Sequence, residues 1–309
     1  MAYSVAGPAV GAAPAGVASS LRARAVTETT LTSAEGRNYR VIVSAPEGPA
    51  PEGGFPVIYV LDGHAWLGAA VEVARMREYE KLDPPVIVGI GYPGGGFFDE
   101  ARSYDFTPPG TGGPPTDPPE YGGADHFLVF LNTVVKPAVR AGRPIDPTRE
   151  TLFGHSMGAL FALHVLFTAP DSFEVLIAAS PSLGFSGRAI LREAEAFTAG
   201  PARGARPRVL ITVGGLEGRP SADLVADYRR FFTANPEARG GLSVDEAIAD
   251  LFPPPAPDWD KIRETRALAG RLAAAGVPTT FAEFPGEEHM AAAISALNRG
   301  IPFALRPAG

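Results

Sequence analysis

A serine nucleophile is the first chemistry that the sequence suggests. Gly154-His155-Ser156-Met157-Gly158 matches the pattern G-x-S-x-G, a weak signal by itself in a chain with 36 glycines. The context is more specific, because the strand-like residues Thr151–Phe153 precede it and an almost wholly apolar helical stretch follows it. A strand, a sharp turn and a helix in this order expose a serine hydroxyl above a sheet. We therefore predict that Ser156 Oγ attacks a carbonyl carbon, the alternative being a glycine-rich turn with an incidental serine.

A serine hydroxyl needs a general base, and histidine is the usual one. Two histidines lie beyond Ser156 in the sequence. His164 falls inside the apolar helical stretch, which favours a packing role. His289 follows the last predicted strand on a short loop before a final helix. In folds with this nucleophile turn the histidine comes last in the chain, so His289 is the predicted base.

The acid of such a site follows the nucleophile and precedes the histidine in sequence. Glu217 ends the loop Gly214–Glu217 after the apolar strand that includes Val209–Val213. Its carboxylate can accept from the imidazole N–H, select the tautomer and stabilise the imidazolium. Other candidates are Asp223, Asp258 and Glu287, and a Ser–His pair without a dedicated acid stays open.

An oxyanion hole requires two backbone donors. The first is expected to be the N–H of Met157, the residue after the nucleophile. The second is expected in the loop Asp62–Trp66, which follows the buried strand Val57–Leu61. We predict the N–H of His64 there, with Gly63 as the alternate. The His64 side chain could instead contact substrate at the mouth of the pocket.

The elements that position these residues follow from the hydrophobic pattern. Short apolar runs alternate with helical stretches, which predicts an α/β fold with a mostly parallel sheet covered on both faces. Two antiparallel strands are expected at the N-terminal end. The predicted strands are Ala25–Thr32, Tyr39–Ser44, Val57–Leu61, Val86–Gly91, Thr151–Phe153, Val175–Ala179, Val209–Val213 and Thr279–Phe284. The predicted helices cover about Ala69–Lys81, Asp125–Arg140, Ala159–Thr168, Ser186–Ala199, Ala222–Thr233 and Lys261–Ala275.

Composition predicts one domain with long ordered loops. Residues 1–20 are rich in Ala, Gly and Pro and are expected to form a disordered tail, followed by a single domain over 21–309. Loop insertions are predicted at about 108–123 and 235–258, where Pro and Gly could form covers over a pocket. The tail lacks the basic start of a signal peptide, so a cytoplasmic location is expected, with a periplasmic or secreted one as the alternative.

Charge and residue types exclude several classes of function. With 27 Lys+Arg against 34 Asp+Glu the formal net charge is −7, which argues against nucleic-acid binding. The sequence contains no run of about 18 apolar residues, so no membrane insertion is predicted. The chain has no cysteine, and no His, Asp or Glu grouping has metal-ligand spacing. These residue types therefore predict no metal site.

Several segments together resemble the putative-esterase family of α/β-hydrolases, and within it the enterochelin-esterase-like siderophore esterases. The similarity extends from about Thr30 to Ile301. The segments that carry it are Val60–Gly63, Gly89–Pro93, Arg102–Pro108, Gly154–Gly158, Ala179–Leu183 and Phe284–His289.

The resemblance implies a serine hydrolase that cuts a small-molecule carboxylic ester, its expected partner, through an acyl-enzyme with neither a metal nor an organic cofactor. The possible substrates include catecholate trilactone siderophores. It assigns the nucleophile to Ser156, the base to His289 and the acid to Glu217. Arg102 would face the pocket and hold an anionic group, or form a structural salt bridge with Asp105 or another carboxylate. Trp66 would contribute an aromatic wall for the substrate.

Other functions on the same scaffold stay open. They are a broad-specificity carboxylesterase and an acyltransferase in which an alcohol replaces water. A non-catalytic binding protein is the least favoured, because the serine, acid and histidine candidates follow one another in the required order.

Overall fold

The computed structural model describes residues 25–112, 119–200, 207–218, 222–236, 243–251 and 259–306. The predicted tail over 1–20 and parts of both predicted insertions lie outside these ranges. Eight strands form one sheet. They are β1 (Ala25–Thr32), β2 (Asn38–Ala45), β3 (Phe55–Leu61), β4 (Val86–Gly91), β5 (Ile145–His155), β6 (Val175–Ala179), β7 (Arg208–Gly214) and β8 (Thr279–Phe284).

The sheet is mostly parallel, with the order β1-β2-β4-β3-β5-β6-β7-β8. The pairs β1–β2 and β2–β4 are antiparallel, and every later pair is parallel. All residues of β3 and β4 are buried, as expected for strands that are covered on both faces. The predicted sheet architecture is therefore confirmed, including its antiparallel N-terminal strands.

Helices cover both faces of the sheet. Their bounds are α1 (Gly63–Tyr79), α2 (Arg102–Asp105), α3 (Ala124–Phe130), α4 (Lys136–Gly142), α5 (Met157–Thr168), α6 (Phe185–Ala199), α7 (Ala222–Ala234), α8 (Val244–Leu251), α9 (Lys261–Ala274) and α10 (His289–Leu305). A 3₁₀ turn covers Pro170–Ser172. Two hydrophobic clusters result, and consecutive β5 residues divide between them, Leu152 packing in one and Phe153 in the other.

Two differences from the predicted helices have a local cause. The stretch predicted as one helix over Asp125–Arg140 contains a π turn at Leu131–Val135 between α3 and α4. Pro137 lies in the first turn of α4 and cannot donate the N–H that a continuous α-helix needs. The insertion predicted as loop over 235–258 contains α8, where Ala247 and Ile248 pack against Phe232.

His164 links three helices and makes stability depend on pH. It is 2% exposed, its Nδ1 lies 2.8 Å from Glu193 Oε2 on α6, and its Nε2 lies 2.9 Å from Asp125 Oδ1 on α3. Burial alone would lower the pKa of His164, but its hydrogen bonds and the charges of both carboxylates outweigh burial and raise it. The charged imidazole is thus bound more tightly in the folded state than in the unfolded chain.

We expect the stability contributed by His164 to be complete below its unfolded pKa of about 6.5 and to be lost as pH rises through its higher folded pKa. Urea unfolding of the wild type and of His164→Met measures this contribution at each pH. The wild type should exceed the variant by more at about pH 6 than at about pH 9. An equal difference at both values would contradict the expected linkage.

Candidate active site

The turn between β5 and α5 holds Ser156 in a strained conformation. Ser156 has φ 59° and ψ −115°, a backbone region that non-glycine residues rarely adopt. A Cβ on Gly154 would overlap the carbonyl oxygen of Gly158, so no side chain fits there. The glycine pair therefore allows the chain to turn sharply and leaves the Ser156 side chain only half-buried.

The Ser156 hydroxyl hydrogen-bonds to a second serine. Its Oγ lies 3.2 Å from Ser182 Oγ, and the Ser182 N–H donates to the Ser156 carbonyl at 3.2 Å. Ser182 belongs to the segment Ala179–Leu183, for which the sequence suggested no individual role. The Ser156 hydroxyl is thus hydrogen-bonded to Ser182 and not to His289. A hydrogen bond between nucleophile and base commonly tightens only when substrate binds.

The predicted base and acid are in direct contact. His289 Nδ1 lies 2.7 Å from Glu217 Oε2, because β7 and β8 are parallel neighbours and both residues follow their carboxyl ends. The other oxygen, Glu217 Oε1, accepts from the Gly214 N–H at 2.7 Å and from Ser180 Oγ at 2.5 Å. This fixed carboxylate keeps the imidazole proton on Nδ1 and leaves Nε2 free to accept a proton.

The other predicted acids that the structure describes form no hydrogen bond with the His289 imidazole. Asp223 lies in the first turn of α7. Glu287 Oε1 accepts from Ser295 Oγ at 3.3 Å. Asp258 lies outside the described residues. Of the candidates that the structure describes, Glu217 is the one hydrogen-bonded to His289.

Lys261 also contacts this pair, and sequence analysis missed it. As the first residue of α9, it looked like an ordinary helix start. Its Nζ donates to Glu217 Oε2 at 2.5 Å and lies 3.3 Å from His289 Nδ1. The ion pair is nearly enclosed, since the Glu217 side chain is 0% exposed and that of Lys261 is 20% exposed.

Burial and these neighbours shift the pKa values of both triad candidates. Burial alone would raise the pKa of Glu217, but the His289 hydrogen bond and the Lys261 charge outweigh it and hold that pKa well below its usual range. Burial lowers the pKa of His289, and the Lys261 charge lowers it further. The hydrogen bond and charge of Glu217 offset only part of this effect. The site therefore combines an ionised carboxylate with a neutral imidazole.

His155, the residue before the nucleophile, supports the base. Its Nε2 lies 2.9 Å from the His289 carbonyl oxygen, and the two ring centroids are 4.4 Å apart. Burial, followed by the nearby His289, holds the pKa of His155 well below the ordinary histidine value. The neutral ring therefore donates from Nε2 to the carbonyl and fixes the backbone of His289. It occupies a variable position of G-x-S-x-G, so the motif gave no signal for this role.

The predicted oxyanion donors lie at two helix starts on the same edge of the sheet. Met157 is the first residue of α5 and His64 the second of α1, while Gly63 begins α1. The preceding strands β5 and β3 are paired in parallel, with Val60 opposite Phe153. The first N–H groups of a helix have no partner inside the helix and attract negative charge.

The structure supports the structural alternative for Arg102. Its guanidinium binds Asp62 through two hydrogen bonds, Nε to Oδ1 at 2.8 Å and Nη2 to Oδ2 at 2.9 Å. The two side chains are 12% and 1% exposed, so the expectation that Arg102 faces an open pocket is not met. Asp105 instead accepts from the hydroxyls of Tyr39 and Tyr92. Arg102 thus fixes the turn that precedes the His64 N–H.

Trp66 is also more buried than a substrate wall requires. It is 3% exposed and packs edge-on against the His155 ring, with centroids 5.2 Å apart. The cause is the start of α1 at Gly63 instead of at Ala69, which makes Trp66 part of the helix and of the core. Trp66 therefore contacts the supporting histidine and is covered from solvent.

Other aromatic side chains surround the segment after Ser182. The Trp259 ring lies 3.5 Å from the position of a Cβ on Gly184, and the Arg188 guanidinium stands 4.6 Å above that ring. Phe185 contacts Tyr121 of the predicted insertion over 108–123, with ring centroids 5.7 Å apart. We call Phe185, Tyr121 and Trp259 the aromatic wall.

The described residues offer neither a metal-binding cluster nor a membrane-spanning helix. Within the described ranges no three His, Asp or Glu side chains are grouped so that they could bind a metal ion. Over the same ranges, no helix combines the length and apolar character that crossing a bilayer requires.

The sheet order, the strained serine turn after β5 and the histidine–carboxylate pair beyond β7 and β8 define an α/β-hydrolase. The expected fold is confirmed by solved structures. Siderophore hydrolase EstA from Aspergillus nidulans has a TM-score of 0.72 and 31% identity over 91% of this chain and 94% of that one. The chain belongs to the family described as "Putative esterase", whose model matches residues 32–304.

Curated relatives agree with the family. The chain is 33% identical to ferri-bacillibactin esterase BesA of Bacillus subtilis over 92% of its own length and 91% of that protein. It is 37% identical to the siderophore triacetylfusarinine C esterase of Aspergillus fumigatus over 71% of its length and 76% of that protein. The expected family is thus confirmed, and the chain is a carboxylic-ester hydrolase.

Proposed function

We propose that the protein is a serine esterase that hydrolyses the ester bonds of siderophores through an acyl-enzyme. The observation that carries the serine mechanism is the 2.7 Å contact between His289 Nδ1 and Glu217 Oε2 beside the strained turn of Ser156. This contact gives the imidazole the tautomer that a general base needs.

Each step uses groups of this chain. Ser156 Oγ attacks the ester carbonyl and transfers its proton to His289 Nε2, while Glu217 stabilises the imidazolium. The N–H groups of Met157 and His64 receive the oxyanion. The tetrahedral intermediate expels the alcohol, which takes the proton from His289. Water then attacks the acyl-enzyme by the same route and releases the acid, restoring the Ser156 hydroxyl.

The substrate class rests on the relatives and on the aromatic wall. The names of the relatives specify esterases of siderophores, among them ferri-bacillibactin, triacetylfusarinine C and enterobactin. Phe185, Tyr121 and Trp259 offer flat apolar surfaces next to the Ser182 segment, and Arg188 adds a cation over the Trp259 ring. Such a surface suits a planar aromatic acyl group that carries negative charge.

A chromatographic product assay tests this function. Purified enzyme is incubated with an iron-loaded catecholate trilactone and, separately, with a short-chain p-nitrophenyl ester. We expect kcat/KM for the trilactone to exceed that for the simple ester by more than about tenfold, since the natural substrate gains transition-state contacts. Ser156→Ala serves as the matched inactive control. Cleavage of the simple ester alone would reject the siderophore assignment and leave a broad-specificity esterase.

A further inference from the structure

The position of Lys261 is unusual for a surface helix start. Asp260 caps the N-terminus of α9, accepting from the Arg263 N–H, and Lys261 follows at the first helical position. From there its ammonium group reaches the oxygen of Glu217 that also binds His289. The ammonium and the imidazole Nδ1–H therefore donate to one atom, Glu217 Oε2, and lie 3.3 Å apart.

Charged and titratable groups face the His289 ring from four elements. Glu217 follows β7, His155 ends β5, Lys261 begins α9, and Glu288 caps α10 beside His289 itself. The Glu288 carboxylate is engaged by the N–H groups at the start of α10, and His155 is buried and neutral. Among these described groups, Lys261 is the cation closest to the imidazole nitrogens.

We propose that Lys261 is a positioning residue that keeps the His289 imidazole in its neutral, proton-accepting form at mildly acidic pH and holds the Glu217 carboxylate in place. This role rests on the proposed serine mechanism, because it concerns the same base. Lys261 acts through His289 and Glu217 and needs no contact with the substrate.

The electrostatic argument has a definite sign. Protonation of Nε2 places a second positive charge next to the Lys261 ammonium, and partial burial strengthens that repulsion relative to bulk water. The same ammonium favours the ionised form of Glu217. That carboxylate stabilises the imidazolium, so it offsets part of the repulsion when His289 accepts the serine proton. Removal of Lys261 should thus raise the pH at which His289 loses its proton. Because the free base starts catalysis, the acid limb of kcat/KM should move to higher pH.

The test compares pH profiles of the wild type and Lys261→Met on a short-chain p-nitrophenyl ester. We expect the acid limb of the variant to lie at higher pH, with kcat/KM about tenfold lower well below the limb if it moves by one pH unit. On the alkaline plateau the two enzymes should agree within several-fold. Lys261→Arg keeps the charge and should restore the wild-type limb. Arg263→Met, two residues away on α9 and paired with Glu264, is the matched control and should leave the profile unchanged.

A direct titration separates this inference from the proposed function. The His289 ring is followed by NMR against pH in the full-length wild type and in Lys261→Met, with Lys261→Gln as a second variant if the first does not fold. We expect protonation at higher pH in the variant. An unchanged titration, or an equal loss of activity at every pH, would overturn the role of Lys261. Absence of Ser156-dependent hydrolysis in the wild type would instead overturn the proposed function, and the titration would still decide the role of Lys261.

Discussion

Replacing Ser156 by alanine is expected to lower kcat/KM for ester hydrolysis by about a thousandfold or more. The hydroxyl is the group that forms the acyl-enzyme, and it lies in a strained turn directly before α5. Ser180, a second serine with positive φ at this edge of the sheet, is buried and donates its hydroxyl to Glu217. Fluorophosphonate should label the wild type and fail to label Ser156→Ala.

The substitution should leave the fold intact. The hydroxyl hydrogen-bonds to Ser182 among the described residues, and alanine is no larger than serine. The midpoint of thermal unfolding should therefore move by only a few degrees. Ser172→Ala, which removes a serine hydroxyl from the 3₁₀ turn that follows α5, is a matched control and should keep full activity. Hydrolysis that persists in Ser156→Ala would show that another nucleophile acts.

Strained backbone marks the catalytic edge of the sheet. Asp62, Ser156 and Ser180 all have positive φ, at 51°, 59° and 50°. They follow β3, β5 and β6, and each adjoins a different part of the site. Asp62 precedes the predicted oxyanion donor His64, Ser156 is the proposed nucleophile, and Ser180 binds Glu217. Such strain persists only where surrounding structure enforces it, and here the Arg102–Asp62 ion pair is part of that enforcement.

The sequence was sufficient for features that depend on neighbours in the chain. The apolar run Val86–Gly91 gives β4 with its observed bounds, because burial on both faces leaves a continuous hydrophobic pattern. The serine turn could be predicted for a similar reason, since glycine spacing and flanking elements are local. His289 and Glu217 could be predicted from chain order once that turn was assumed.

Features that depend on distant contacts could not be predicted in this way. The partner of Arg102 is 40 positions away in sequence, and nothing near it distinguishes Asp62 from Asp105 as its partner. Lys261 meets Glu217 across 44 positions and looks like an ordinary exposed helix residue. Trp66 became a core residue because α1 starts six positions before its clear apolar periodicity begins. These outcomes are decided by tertiary packing, to which local patterns are insensitive.

Replacing Glu217 by glutamine should lower kcat by about 10³- to 10⁴-fold. The amide can donate to His289 Nδ1, which would move the imidazole proton to Nε2 and prevent that atom from accepting the serine proton. Lys261 adds to the effect, because its Nζ, 3.3 Å from Nδ1, becomes a second donor to the same nitrogen once the carboxylate is gone. The variant should therefore hold the wrong tautomer even where the fold is preserved.

Steady-state kinetics of three variants separate these causes. Glu287→Gln changes the neighbouring acid that binds Ser295, so it is the matched control and should keep wild-type kcat. Adding Lys261→Met to Glu217→Gln removes one of the two donors that compete for Nδ1 and should recover part of the lost activity. Tautomer control would be refuted if Glu217→Gln kept more than about a tenth of wild-type kcat, or if Glu287→Gln were the damaging change. A double variant no better than Glu217→Gln would assign the whole loss to the missing carboxylate, because Lys261 then contributes nothing to the tautomer.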